Sequence, residues 1–355
     1  VENSLGKRYF HGNVFDLYDR GFVLAHLRPY DQRLASYPGQ RLHLNFLFGH
    51  CCHEDKVFAG EGTMNTSENL ELILMPSSKD LGGFKVHRVL PSIQRQMVGP
   101  FIFFDQMGPA QFERGHGIDV RPHPHIGLAT VTYLFSGSIM HRDSLGFEQN
   151  ITPGDVNLMT AGRGIVHSER TAADLRKNPS ELYGIQTWLA LPSRREEIDP
   201  RFEHTPSADL PVFEDPGIRG RVICGNIFGC ESPVKTESPT FYVDLQLQKN
   251  SSLQLNAEYE ERAVFILRGE LLLEGQKYQT SQMLVLKPGK SLELRAGEEG
   301  VHMMLLGGDS LEGPRYIHWN FVSSRRDRIE QAKEEWVAGA FPKVPGDPEF
   351  IPLPT

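Results

Sequence analysis

Cysteine is scarce in this chain, four in 355 residues, at positions 51, 52, 224 and 230. So few, and so unevenly placed, they build no disulfide framework and suit a reducing, cytoplasmic setting. Positive charge is short as well: 37 Lys and Arg face 45 Asp and Glu, a net charge of −8. Nucleic acid is held chiefly through its phosphates, and no basic run offsets the deficit, so direct DNA or RNA binding is not expected. No stretch reaches the roughly 18 apolar residues of a membrane helix. The opening Val1–Lys7 has no basic segment leading into an apolar core, so neither a membrane partner nor a secretory signal is expected. A phosphate-cradling loop and a serine nucleophile elbow are also missing, and Gly162-Arg163-Gly164 reads as a turn. What is left is an ordinary globular composition, 39% hydrophobic and 23% charged, in a chain long enough for two domains.

Helical periodicity is sparse too. The 34 Gly and 24 Pro are spread between short apolar runs, a pattern of strands joined by turns, so the fold is expected to be all-β, a sandwich or barrels. Phe241, Val243, Leu245 and Leu247 alternate onto one face, and Ala129 to Phe135 mixes β-branched and aromatic residues as a half-buried strand does. One short helix is expected near the end. Ser324 to Asp327 has the form of a capping box, Ile329, Ala332 and Trp336 follow on one face, and Pro342 and Pro345 end it.

A repeat is visible within the chain. Pro153-Gly154, Ala161-Gly162 and Val166-His167 recur at the same spacing as Pro288-Gly289, Ala296-Gly297 and Val301-His302. An ordered series of this kind indicates duplication of one β unit. The chain is therefore divided into an extension (1–63), a first barrel (64–195), a connecting region (196–239), and a second barrel with the helix and tail (240–355). The extension fits neither repeat and reads as an appendage or as upstream sequence, with Met64 directly before the first strand-like run.

The chemistry concentrates at Pro122-His123-Pro124-His125 and His167-Ser168-Glu169. Residues two apart on a strand share a face, so His123 and His125 project together, as do His167 and Glu169. Neighbouring strands would converge three imidazoles and a carboxylate on one divalent first-row metal with two positions open. Iron(II) is the first choice, with manganese, nickel, copper and zinc also compatible. A lone histidine more often decorates a turn; the paired H-x-H and H-x-E spacing is what points to a metal.

Gly117-x5-His123-x-His125, then Pro153-Gly154-Asp155 and Gly162-x4-His167, resemble the two cupin motifs. The longer strings Arg121 to Gly127 and Thr160 to Glu169, with the tail from Trp319 to Trp336, are similar specifically to the pirin family, and the likeness runs from about Leu70 to the end. It implies a bicupin of two β-barrels with the metal in the first only, held by His123, His125, His167 and Glu169. Some pirins are similar to quercetin 2,3-dioxygenase and open a flavonol ring with O2, releasing carbon monoxide; others are discussed as metal-dependent regulators or metabolic enzymes. The leading expectation is thus a quercetinase-type oxygenase with a flavonol-like substrate and O2, in which Glu169 is both ligand and catalytic base. The alternative is a non-enzymatic, metal- or redox-responsive regulatory protein that binds a protein partner. Cupins often supply a Glu a few residues after the second His; here Ala129, with the parity of His125, would face inward and cannot coordinate.

Around this centre, His141 and Asp143 are candidates for the pocket mouth, with Asp143 positioned to orient a ligand imidazole. Gln186 and Trp188 share a face and could form a wall for a flat aromatic substrate; Phe104 and Phe112 are weaker candidates. In the second barrel Met304 stands where the repeat places a carboxylate after His302. One register sets Leu255 and Ala257 at the other ligand positions, another sets Glu258 and Glu260 there, and the first is preferred as an apolar, structural barrel. His50-Cys51-Cys52-His53 is too compact for one tetrahedral ion and reads as a vicinal, redox-sensitive pair.

Overall fold

The computed structural model describes residues 67–80 and 84–354. The 1–63 extension and the His50 to His53 cluster lie outside the described residues. Two tandem cupin barrels account for nearly all of the described chain, and a single α-helix, Arg326–Val337, occurs within it. The all-β expectation holds. No helix among the described residues is long and apolar enough to cross a membrane.

The first barrel is made of two sheets. A seven-stranded sheet runs in the order Arg201–Thr205, Val156–Thr160, Leu128–Ser136, Ser180–Ala190, Phe101–Phe112, Lys85–Leu90, Ser77–Asp80. A four-stranded sheet runs Asp119–His125, Ile165–Arg170, Ile139–Asp143, Glu148–Ile151. The second barrel is one ten-stranded sheet organised on the long strand Leu292–Gly308, which pairs with Thr240–Leu247, Ser252–Leu255 and Glu261–Leu273. The duplicated Pro-Gly pairs form turns in both barrels, whereas Ala296-Gly297 is absorbed into that long strand.

Leu128–Ser136 and Thr240–Leu247 are buried on both faces rather than one over most of their length. The reason is a wall shared by the barrels. Ala129, Val131, Tyr133 and Phe104 of the first pack with Tyr242, Phe265 and Met304 of the second in one apolar cluster. Inside that wall the Tyr133 hydroxyl donates to Asp244 Oδ2 at 2.8 Å, and Asp244 Oδ1 accepts from His302 Nε2 at 2.6 Å. Phe104 meets Phe265 edge-on at 4.9 Å, which places it on the outside of the first barrel. Phe112 packs against Phe84 in a separate cluster.

Chain order and sheet membership part company at several places. Leu70–Leu74 precedes the first barrel but pairs with Met283–Leu286 of the second. Arg201–Thr205, within the connecting region, pairs with Val156–Thr160 of the first.

The helix begins at Arg326 behind an uncapped Arg325, so the capping box does not form. The reason is a competing acceptor: the Ser324 amide and hydroxyl both donate to Glu196, at 2.7 and 3.0 Å. Ile329 and Ala332 are buried as expected and pack with Ile126, Val166, Phe321 and Phe341 on the outer side of the four-stranded sheet.

Candidate metal centre

The strand Asp119–His125 is an edge of its sheet, which is why it tolerates alternate prolines: Pro122 and Pro124 have no N–H to give, and an edge position asks for none. The Pro122 carbonyl instead accepts the Ile351 amide of the tail at 2.9 Å. The intervening His123 and His125 turn inward together, and antiparallel pairing sets His167 directly opposite His123. One ligand nitrogen from each of these three buried histidines lies within 4.8 Å of the other two.

The ring nitrogens are arranged as metal donors. His123 Nδ1–H donates to the Arg121 carbonyl at 2.9 Å, leaving Nε2 as the bare nitrogen. His125 Nε2 and His167 Nε2 face each other at 3.0 Å, and the Asn320 backbone supports the buried His125 ring. Burial holds the imidazoles neutral. It brings His123 down to about 4, the Arg121 carbonyl opposing, and carries His125 and His167 well below the ordinary 6.5, helped by the neighbouring histidines. Neutral nitrogens crowded onto one point are the state a divalent metal requires of its ligands, so the donor set fits such an ion.

Glu169 stands apart from the three-histidine group. A bulge falls between His167 and Glu169, so Glu169 lies opposite Val120 and, on its other side, His141. Its Oε1 accepts from Gln186 Nε2 at 2.7 Å, across from the seven-stranded sheet. Burial raises its pKa, while the Gln186 hydrogen bond and the His141 charge pull the other way.

Gln186 and Trp188 share the inward face of Ser180–Ala190, and both reach the centre. Trp188 meets His125 edge-on at 5.1 Å and lies flat on Phe103 at 4.0 Å, with Arg88 over the far side of Phe103. Ala129 does not face inward. Gly127, at φ +67°, breaks the alternation after His125, so Ala129 joins the inter-barrel wall and Thr130 is the residue paired across the sheet with Trp188. Thr132, two residues further, accepts from Gln186 at 3.4 Å.

His141 and Asp143 are buried beside the centre, and Asp143 holds His141 rather than a member of the triad: His141 Nε2–H donates to Asp143 Oδ2 at 3.0 Å. Phe202, stacked on His141 at 4.3 Å, is a neighbour the sequence reading missed. It lies in the connecting region, and only the pairing of its strand with Val156–Thr160 brings it to the site. In the second barrel Leu255 is buried in the core while Glu258 and Glu260 are exposed. Among the described residues the three-histidine group is the one cluster able to hold a metal.

Fold and site together define a two-barrel cupin with a candidate metal centre in its first barrel. Family models agree: the pirin model matches residues 83–189 and the pirin C-terminal cupin domain residues 242–342. A pirin-like protein of Caulobacter vibrioides is 49% identical over 290 residues, 80% of this chain and 99% of its own. The crystal structure of quercetin 2,3-dioxygenase from Acinetobacter baumannii superposes with a TM-score of 0.74 at 36% identity, covering 80% of this chain and 95% of that one. A bacterial pirin of Escherichia coli in complex with nickel(II) shares the fold, with a TM-score of 0.54 at 18% identity over 67% of this chain and 99% of its own. The chain belongs to the pirin family.

Proposed function

We propose that this protein is a metal-dependent dioxygenase of the quercetin 2,3-dioxygenase type, with His123, His125, His167 and Glu169 as its ligand set. The observation that carries the reading is the convergence of three buried, neutral histidines beside a buried carboxylate and an aromatic wall. The likeness to the Acinetobacter baumannii enzyme supports a flavonol and O2 as the substrates. When bound, the metal supplies a Lewis acid that orients the flavonol hydroxyl and dioxygen. Iron(II) is our first choice, and the nickel(II) complex of the Escherichia coli pirin keeps nickel in view.

The side chains do the rest. Gln186 holds Glu169 by one oxygen, which leaves the other to accept the flavonol hydroxyl proton; with a metal bound, this carboxylate would be its fourth protein ligand. The raised pKa of the carboxylate makes it a better proton acceptor than an exposed Glu. Trp188, braced by Phe103, offers a flat apolar surface next to His125.

The regulatory reading has an observation of its own. A cleft of about 590 Å3 between helix and tail is lined by Trp336, Phe341 and Phe350 and backed by Pro122 and Val166, the neighbours of His123 and His167. Turnover separates the two readings. Anaerobic loading with iron(II), metal quantitation, and quercetin loss followed with carbon monoxide release are expected to be positive in the wild type and abolished by His123→Ala. A protein that holds one metal per chain and leaves quercetin and related flavonols intact favours the regulator, or an oxygenase with a different substrate.

A further inference from the structure

We propose that Asp143, acting through His141, dictates which nitrogen of His167 carries the proton and so keeps the inward nitrogen of the candidate centre bare. Both are positioning residues, and the inference rests on His167 being a metal ligand. His141 Nε2–H donates to Asp143 Oδ2 at 3.0 Å, and the opposite nitrogen of that ring, Nδ1, lies 3.4 Å from His167 Nδ1. With the His141 proton drawn to the carboxylate, His141 Nδ1 can only accept, so His167 must donate from Nδ1 and present Nε2 without hydrogen. That Nε2 is the nitrogen facing His125. Phe202, nearly parallel to the His141 ring at 4.3 Å, fixes its plane. The line Asp143–His141–His167 is fully buried, so no solvent competes for these hydrogen bonds. Metal-bound histidines commonly rest their second nitrogen on a carboxylate or carbonyl; here a second imidazole is interposed and hands on a tautomer.

The other oxygen of Asp143 makes the inference sharp. Oδ1 accepts the amides of Leu145, at 2.9 Å, and Phe147, at 3.1 Å. In Asp143→Asn the amide carbonyl must stay on those two donors, which turns the NH2 toward His141 Nε2. His141 then bears its proton on Nδ1, His167 must accept there, and its own proton moves to Nε2, into the metal position. Every hydrogen bond is kept, net protonation is unchanged, and the centre is blocked.

The test is histidine tautomer assignment by 15N NMR on the metal-free protein, with zinc(II) affinity by chelator competition. The wild type is expected to carry its protons on His141 Nε2 and His167 Nδ1. Asp143→Asn is expected to reverse both and weaken zinc binding by about 10- to 100-fold. In a His141→Phe background, which keeps the stack on Phe202 and cuts the line, Asp143→Asn is expected to change zinc affinity less than about twofold. An unchanged His167 tautomer in Asp143→Asn, or an equal loss of affinity in both backgrounds, overturns the proposal. If His141→Phe does not fold, the tautomer comparison decides by itself. A wild-type protein that takes up no zinc overturns the metal reading instead, and the same comparison still decides the relay.

Discussion

Glu169 carries more of the proposed chemistry than any other single residue, and its surroundings say what losing its charge would do. Gln at this position keeps the shape and an oxygen for Gln186 but cannot take a proton. Glu169→Gln is expected to lower quercetin turnover per bound metal by about 10²- to 10⁴-fold; full activity per bound iron removes the base role. The three histidines were legible in the sequence because period-two geometry needs nothing beyond the strand itself. Glu169 shares that spacing, yet a bulge on the neighbouring strand turns its pairing from Arg121 to Val120. A bulge of that kind is a property of two strands and is written in neither alone. Asp143 was legible as a buried orienting group, but its partner is decided by a hairpin that places His141 between it and the triad.

The turn between the histidine-bearing strand Asp119–His125 and Leu128–Ser136 shows how an element can be set by backbone alone. Gly127 has φ +67°, and a Cβ there would meet the Val322 carbonyl oxygen at 2.0 Å. Gly289, in a Pro-Gly turn of the second barrel, has a similar φ of +77° but open space around it. Gly127→Ala is therefore expected to cost several kcal/mol, roughly 2 or more beyond the ~1 kcal/mol of the left-handed backbone that Gly289→Ala pays alone. Urea unfolding midpoints of the two variants check this, and equal shifts would reject the steric account. The same turn explains why Ala129 was misplaced: alternation was counted across a residue that interrupts it. The helix shows the complementary error. Its apolar face was readable from Ile329 and Ala332, whereas its cap was not, because Glu196, far away in sequence, claims the serine that local pattern assigned to the helix.

On the scale of the protein, three buried imidazoles impose a pH dependence. In the unfolded chain each titrates near its ordinary 6.5, while burial brings folded His123 down to about 4 and carries the other two well below 6.5. Between those values the unfolded chain binds more protons, so stability rises with pH and is lost on acidification. The stability of metal-free wild type relative to His123→Ala is expected to fall by about 1.4 kcal/mol per pH unit as pH drops from 6.5 toward 4. Urea titrations of both proteins at several pH values measure it, and a constant difference would contradict the neutral state of His123. The tandem barrels were readable from the internal repeat, but their shared wall was not, since a period-two pattern cannot tell a strand facing water from one facing a second barrel.

The pairing of Leu70–Leu74 with Met283–Leu286 has a consequence for synthesis. Folding during translation proceeds from the N-terminus, yet this strand finds its partner only after some two hundred further residues have been made. The histidine-bearing strand Asp119–His125 likewise receives its outer cover, from Ile351, at the far end of the chain. Each barrel is thus finished by a segment that the ribosome separates from it, and a nascent chain halted after the first barrel exposes both an orphan strand and a bare edge beside the histidines.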